Sequence, residues 1–254
     1  MKNIRVPQIH RLKQKREKIE KNKAGVFLMK VISLGGSLLF AENADFDVAY
    51  LKELGSILKK AHAKDGLAIV IGGGRTARKY VVAAREFGAG EFECDTLAIR
   101  VTRMNSRIVA QSLGDNAVYC QNLAEAETAL KNGKIAVMGG LLEGITTDAV
   151  SMLLAEKIGA SSVANLSNID YLYSGDPKKD KTAKKYEKMN HQELTELAVD
   201  GDKRLARTNF PFDLVACRLA QRSNIELRFV DGKNLHEVEN AINDKLFKGT
   251  LVKD

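Results

Sequence analysis

Three short apolar runs in this chain each stop on glycine: residues 30–34 on Gly35-Gly36-Ser37, 67–71 on Gly72-Gly73-Gly74, and 134–138 on Gly139-Gly140. Elsewhere the apolar spacing is helical. Leu51, Leu54, Leu58 and Ala61 step by three or four, as do Leu235, Val238, Ile242 and Leu246, while Val150, Leu153, Leu154 and Ile158 share one face. Runs of about five apolar residues bounded by glycine read as strands. With further runs at 117–120, 162–166 and 225–230 they predict six strands separated by helices. Strands joined through helices run parallel with right-handed crossovers and are covered on both faces. The expected fold is α/β, a three-layer αβα sandwich around a mostly parallel open sheet.

Such sheets bind ligands at the carboxyl ends of their strands, which is where the three glycine tips fall. Glycine leaves backbone N–H groups open to a ligand, and a helix N-terminus behind such a turn favours phosphate. No G-x-x-x-x-G-K-[ST] stretch is present, which excludes a P-loop enzyme. Gly72-Gly-Gly-Arg-Thr-Ala77 nominally fits a dinucleotide fingerprint, but the acidic residue that should end the next strand is missing, because Asp95 opens a predicted helix over 95–113.

The 254 residues carry a net charge of +8. Residues 1–28 account for most of it, with nine basic side chains against two acidic ones, so the charge describes an arm and not a basic domain. The arm reads as a disordered extension, or as the product of an upstream start with Met29 the first residue of the domain. Nucleic-acid binding, if any, would fall to it alone. Residues 29–254 are expected to form a single domain. Cys94, Cys120 and Cys217 are odd in number and form no C-x-x-C pair, and no apolar run approaches the roughly 20 residues of a bilayer span. Both features predict a soluble, cytoplasmic protein. His10, His62, His191 and His236 are scattered and read as surface residues.

Two further stretches carry polar chemistry. Thr146-Thr147-Asp148 stands where a helix should start, with the choice between capping it and positioning cations or a metal left open. Asn168, Asp170, Tyr173 and Asp176-Pro-Lys178-Lys179 follow a strand and suit a nucleotide base beside a polyphosphate, or equally a solvated hairpin.

Together, Gly35-Gly36-Ser37, Gly72-Gly73-Gly74 with Arg78-Lys79, Gly140 through Thr146-Thr147-Asp148-Ala149, and Asn168-x-Asp170 through Tyr173 to Asp176-Pro-Lys-Lys-Asp180 resemble the amino acid kinase superfamily. Within it they look most like the archaeal type of UMP kinase, over about residues 29–252. The resemblance implies transfer of the γ-phosphoryl of MgATP to UMP in pyrimidine biosynthesis, with Mg²⁺ arriving on ATP and no metal site of the chain's own assigned. It implies ATP contacts at Gly36, Ser37, Gly74, Arg78, Ser167, Asn168, Tyr173 and Asp176. It implies UMP contacts at Gly73, Asp95 and the loop Leu141, Leu142, Glu143, Gly144, Ile145, Thr146 and Thr147. Asp148, Lys179 and Arg78 match the catalytic groups, Asp148 as the carboxylate that organises the catalytic cations and Lys179, ahead of Lys178, as the lysine on the transferring phosphoryl. The resemblance also implies that the N-terminal part of the domain binds the acceptor and the C-terminal part ATP, and that the chain assembles as a homohexamer built from dimers. Three positions depart from the pattern: Ser33 stands where many members have lysine, Tyr171 where glycine is usual, and Lys181 where proline is usual. Acetylglutamate, carbamate and isopentenyl phosphate kinases share the fold, as would a non-catalytic nucleotide-binding protein.

Overall fold

The structure is a computed structural model that describes residues 28–43, 45–177, 179–203 and 212–254, side chains of 201–203 aside. The basic arm through residue 27, His10 and Lys178 lie outside the described residues.

The chain begins with β1 (Met29–Leu34), a short 3-10 turn (Gly36–Leu39), α1 (Val48–His62), β2 (Gly66–Ile71), α2 (Gly74–Glu86) and α3 (Glu91–Leu113). It continues through β3 (Ala117–Tyr119), α4 (Leu123–Lys131), β4 (Ile135–Met138), α5 (Thr147–Ile158) and β5 (Ser162–Ser167). A small hairpin, β6 (Leu172–Tyr173) with β7 (Lys185–Tyr186), precedes β8 (Lys188–Met189) and α6 (His191–Lys203). The last elements are α7 (Leu214–Ser223), β9 (Glu226–Asp231), α8 (Leu235–Ile242) and β10 (Thr250–Val252). Eight strands form one sheet in the order β3-β4-β2-β1-β5-β9-β10-β8. From β3 to β9 every pair is parallel; β10 turns antiparallel to β9, and β8 pairs parallel with β10.

The central strands are apolar on both faces because both faces are covered. Every residue of β2 and β4 is buried. Val31, Val70, Met138 and Val163 face a core closed by α4, α5, α6 and α7, while Ile32, Ile69, Val137 and Leu166 face a second core closed by α1, α3 and α8. In α1 the four residues of the predicted stripe, Leu51, Leu54, Leu58 and Ala61, are all buried. In α8 the stripe stops short: the helix ends at Ile242, and Leu246 is almost fully exposed on the connection to β10. Helix α5 is not amphipathic as predicted. Ala149, Val150, Ser151, Met152, Leu154 and Ala155 are buried around most of its circumference, because it lies between the sheet and α4 and α7.

His191 overturns its assignment to the surface. It opens α6 fully buried, its Nε2 2.8 Å from the carbonyl of Ile225 just before β9, so it ties a helix start to the sheet. His236 is exposed and His62 half-buried.

Candidate active site

The parallel strands bring their carboxyl ends to one edge, and the first two glycine tips there pack against each other. A Cβ at Gly36 would overlap the carbonyl of Gly72 and stand 2.5 Å from the amide nitrogen of Gly74. Gly74 itself has φ +63, a left-handed conformation that opens α2. The third tip packs on α3, where Gly140 N–H donates to Thr102 Oγ1 at 2.7 Å. Direct backbone-to-backbone approach is thus a requirement for these glycines in its own right.

Beside the first two tips lies a cleft of about 610 Å³. Ser37, Arg78 and Asn168, three of the expected nucleotide contacts, converge on it with Arg75 and Lys233. Asn168 Nδ2 donates to Ser37 Oγ at 2.9 Å, joining the loops after β5 and β1, and Arg75 donates to the carbonyl of Ala41 at 2.5 Å. Glu42 and Asp47 also line the cleft, with Phe40 and Tyr50 as walls. Tyr50 donates to the carbonyl of Gly232 at 2.9 Å, and burial raises its phenol above the ordinary range. Three cationic side chains around the start of α2 suit a polyanion.

Other expected nucleotide contacts lie outside that lining. Ser167 Oγ, at the end of β5, is buried without a hydrogen-bond partner among the described residues. Tyr173, on the hairpin strand β6, donates to Asp170 at 3.2 Å. Lys179 is largely exposed, 3.8 Å from Asp176; the structure does not bring it against Asp148.

The loop expected to hold an acceptor is fastened to α3, which begins at Glu91, one turn earlier than predicted. Asp95 therefore lies in the second turn, where its Oδ2 accepts from Gly144 N–H at 2.8 Å. Thr96 donates to Glu143 at 2.7 Å, a bond that holds the Glu143 carboxyl below its usual range. Arg103 donates to the carbonyls of Gly140 and Leu141 at 3.2 and 2.9 Å. Leu141 and Ile145 pack onto the core, while Leu142 is exposed. Gly73, beside this loop, packs against Ala77 and Thr102.

At the start of α5 the capping role falls to one of the three polar residues. Thr146 is the cap, its Oγ1 accepting from Ala149 N–H at 3.2 Å and also donating to Asp213. Thr147 is the first helical residue. Asp148 points instead at the sheet, its Oδ1 accepting from Ser33 Oγ at 2.8 Å and from Asn165 Nδ2 at 2.9 Å. Loss of water raises its pKa to about 7; the two donors oppose that rise, and the nearby Asp213 charge adds to it. The same pocket holds Cys217, whose thiol burial pushes up to about 12.

Asn165, Asp213, Arg103 and Lys233 carry much of this geometry and were not singled out by their sequence context. Asn165 left one usable signal, an amide inside the apolar middle of a strand that serines bound at both ends. Asp213 left another, an N-cap residue ahead of α7 that accepts from Ala216 N–H at 3.0 Å. Among the described residues no group of three or more His, Cys, Asp or Glu is placed to hold a metal, and no helix is long and apolar enough to cross a membrane.

The family model described as "Amino acid kinase family" matches residues 29–231. A uridylate kinase of Methanospirillum hungatei is 42% identical over 224 residues, covering 87% of this chain and 93% of the relative. One from Haloarcula marismortui is 34% identical over 225 residues, covering 87% and 97%. The crystal structure of uridylate kinase from Archaeoglobus fulgidus superposes with a TM-score of 0.76 at 33% identity, over 88% of this chain and 99% of that one. A UMP kinase from Bacillus anthracis shares the fold at a TM-score of 0.75 and 22% identity, over 90% and 96% of the two chains.

Proposed function

This chain belongs to the amino acid kinase family, and we propose that it transfers the γ-phosphoryl of MgATP to UMP, giving UDP and ADP. The observation that carries the reading is the cleft in which Ser37, Arg78 and Asn168 meet at the glycine edge. The phosphate of UMP is already anionic at neutral pH, so the reaction needs no general base. Catalysis reduces to aligning two anions that repel each other and offsetting charge on the moving phosphoryl.

In this reading Gly36, Ser37, Gly74 and Arg78 hold the phosphates of ATP, and Ser167, Asn168, Tyr173 and Asp176 its base and ribose. Gly73, Asp95 and residues 141–147 hold UMP. Asp148 orders the cationic groups around the phosphoryl, and Lys179 meets it once the substrates are bound. Magnesium enters with ATP as part of that substrate. Exposed apolar side chains on and between α2 and α3, among them Tyr80, Phe87, Phe92 and Met104, support self-association, which we take to be hexameric. Three buried free cysteines are in keeping with a cytoplasmic location.

Coupled ADP release, measured with UMP, CMP, acetylglutamate, carbamate and isopentenyl phosphate as acceptors, tests the assignment. Turnover is expected with UMP above all others. Turnover with another acceptor and none with UMP would sink the UMP assignment and keep the fold; nucleotide binding without any turnover would make the chain a binding protein.

A further inference from the structure

Ser33 and Asn165 are Cα partners across the parallel β1–β5 pair, so their side chains leave the sheet on the same face. Both are buried, and both donate to one oxygen, Oδ1 of Asp148, at 2.8 and 2.9 Å. Ser33 lies three residues before the expected nucleotide contacts Gly36-Ser37, and Asn165 two residues before Ser167-Asn168 at the end of β5. From this geometry we infer that Ser33 and Asn165 form a neutral two-pronged clamp, a pair of positioning residues that fix the Asp148 carboxylate through Oδ1 and keep its other oxygen for groups arriving with the substrates. The inference rests on the phosphotransfer reading and adds to it two residues that touch no substrate.

The amide itself argues for a functional role. Asn165 Oδ1 is buried without a hydrogen-bond partner among the described residues. A buried acceptor left unpaired costs stability, and an apolar side chain at a central strand position would avoid that cost. Asn165 is thus a poor choice for packing and a good one for what its Nδ2 does. The clamp also brings no charge of its own. A cation in its place would neutralise Asp148 permanently, whereas two neutral donors set the carboxylate's direction and leave its charge free for the loaded site.

A double-mutant cycle tests the clamp. Ser33→Ala and Asn165→Leu are assayed singly, together, and each on an Asp148→Asn background, with kcat and both KM values measured beside thermal midpoints. Each single change is expected to lower kcat about tenfold while leaving KM for ATP and UMP within about twofold. Ser33→Thr, which keeps the hydroxyl, should recover most of the loss. The midpoint of Asn165→Leu should not fall, because the unpaired oxygen leaves with the amide. On the Asp148→Asn background neither change should lower kcat further, since the residues act through that carboxylate. Losses that persist on that background, or that appear only in KM, would overturn the clamp. A wild-type chain that phosphorylates no acceptor would overturn the phosphotransfer reading and the clamp with it, whereas an active wild type with unaffected variants would overturn the clamp alone.

Discussion

Asp148→Asn should make the protein more stable, and only above the acid range. Burial raises the folded-state pKa of Asp148 from 3.8 to about 7, so between those values the folded chain holds a proton that the unfolded chain releases. Stability falls with rising pH wherever the folded state binds more protons. The carboxylate's contribution is therefore intact below about pH 4 and is lost progressively up to about pH 7. A shift of roughly three units corresponds to about 4 kcal/mol at most, and relaxation around the ionised group lowers the realised figure to about 2–4 kcal/mol. Asparagine has the same shape, presents one oxygen to Ser33 and Asn165, and cannot ionise. Urea unfolding of the two proteins, run side by side at pH 5 and pH 8.5, isolates this group from every other titration. The advantage of the variant is expected to grow by about 2–3 kcal/mol between the two conditions, while its turnover drops sharply because the charge is gone. A stability difference that does not change with pH, or a variant less stable at pH 8.5, would refute the claim that the carboxylate is held at a cost.

Lys179→Ala should lower kcat by at least about tenfold with KM changed less than about threefold, since a charge needed mainly in the transition state acts on turnover and not on binding; steady-state kinetics showing a pure KM effect would remove Lys179 from the mechanism. Gly74→Ala forces φ +63 on a residue with a side chain and drives its Cβ to 2.5 Å from the carbonyl oxygen of Gly36. It should destabilise the fold by more than about 3 kcal/mol, and a loss below about 1 kcal/mol in urea would contradict the tip-to-tip packing. Asp95→Ala frees Gly144 from its 2.8 Å anchor and should raise KM for UMP about tenfold with KM for ATP unmoved; equal changes in both would mean that α3 fastens the whole edge and not the acceptor loop alone.

Much of the sheet was legible because its signal is local. All six predicted strands appear, with ends shifted by a residue or so, since central parallel strands must be apolar throughout and glycine marks where they stop. Strands β6, β7, β8 and β10 escaped because two or three residues carry no period, and β3, equally short, was legible only as part of the longer run 117–120. What sets them is tertiary: Thr250 in β10 accepts from Leu172 N–H at 2.8 Å and donates to the carbonyl of Tyr186, bridging the hairpin to the sheet edge. His191 escaped for a related reason. Its context is polar, and its partners, the carbonyl of Ile225 and the carboxylate of Asp254, come from distant parts of the chain.

The site divides along the same line. Gly36, Ser37 and Gly74 sit within three residues of a strand end, so their placement at the edge follows from the strand assignment alone, and Arg78 follows one helical turn after Gly74. Asp148 depended on one residue of helix register. Had α5 been capped by Thr147, Asp148 would be its first residue, a carboxylate favourable at a helix N-terminus and needing no other partner. The cap is Thr146 instead, which turns Asp148 onto the sheet face where Ser33 and Asn165 stand opposite each other. That pairing joins residues 33 and 165 through the register of two strands, a relation that no local window contains. Ser33, which the family resemblance marked as the place of an absent lysine, is one of two donors when read across the sheet.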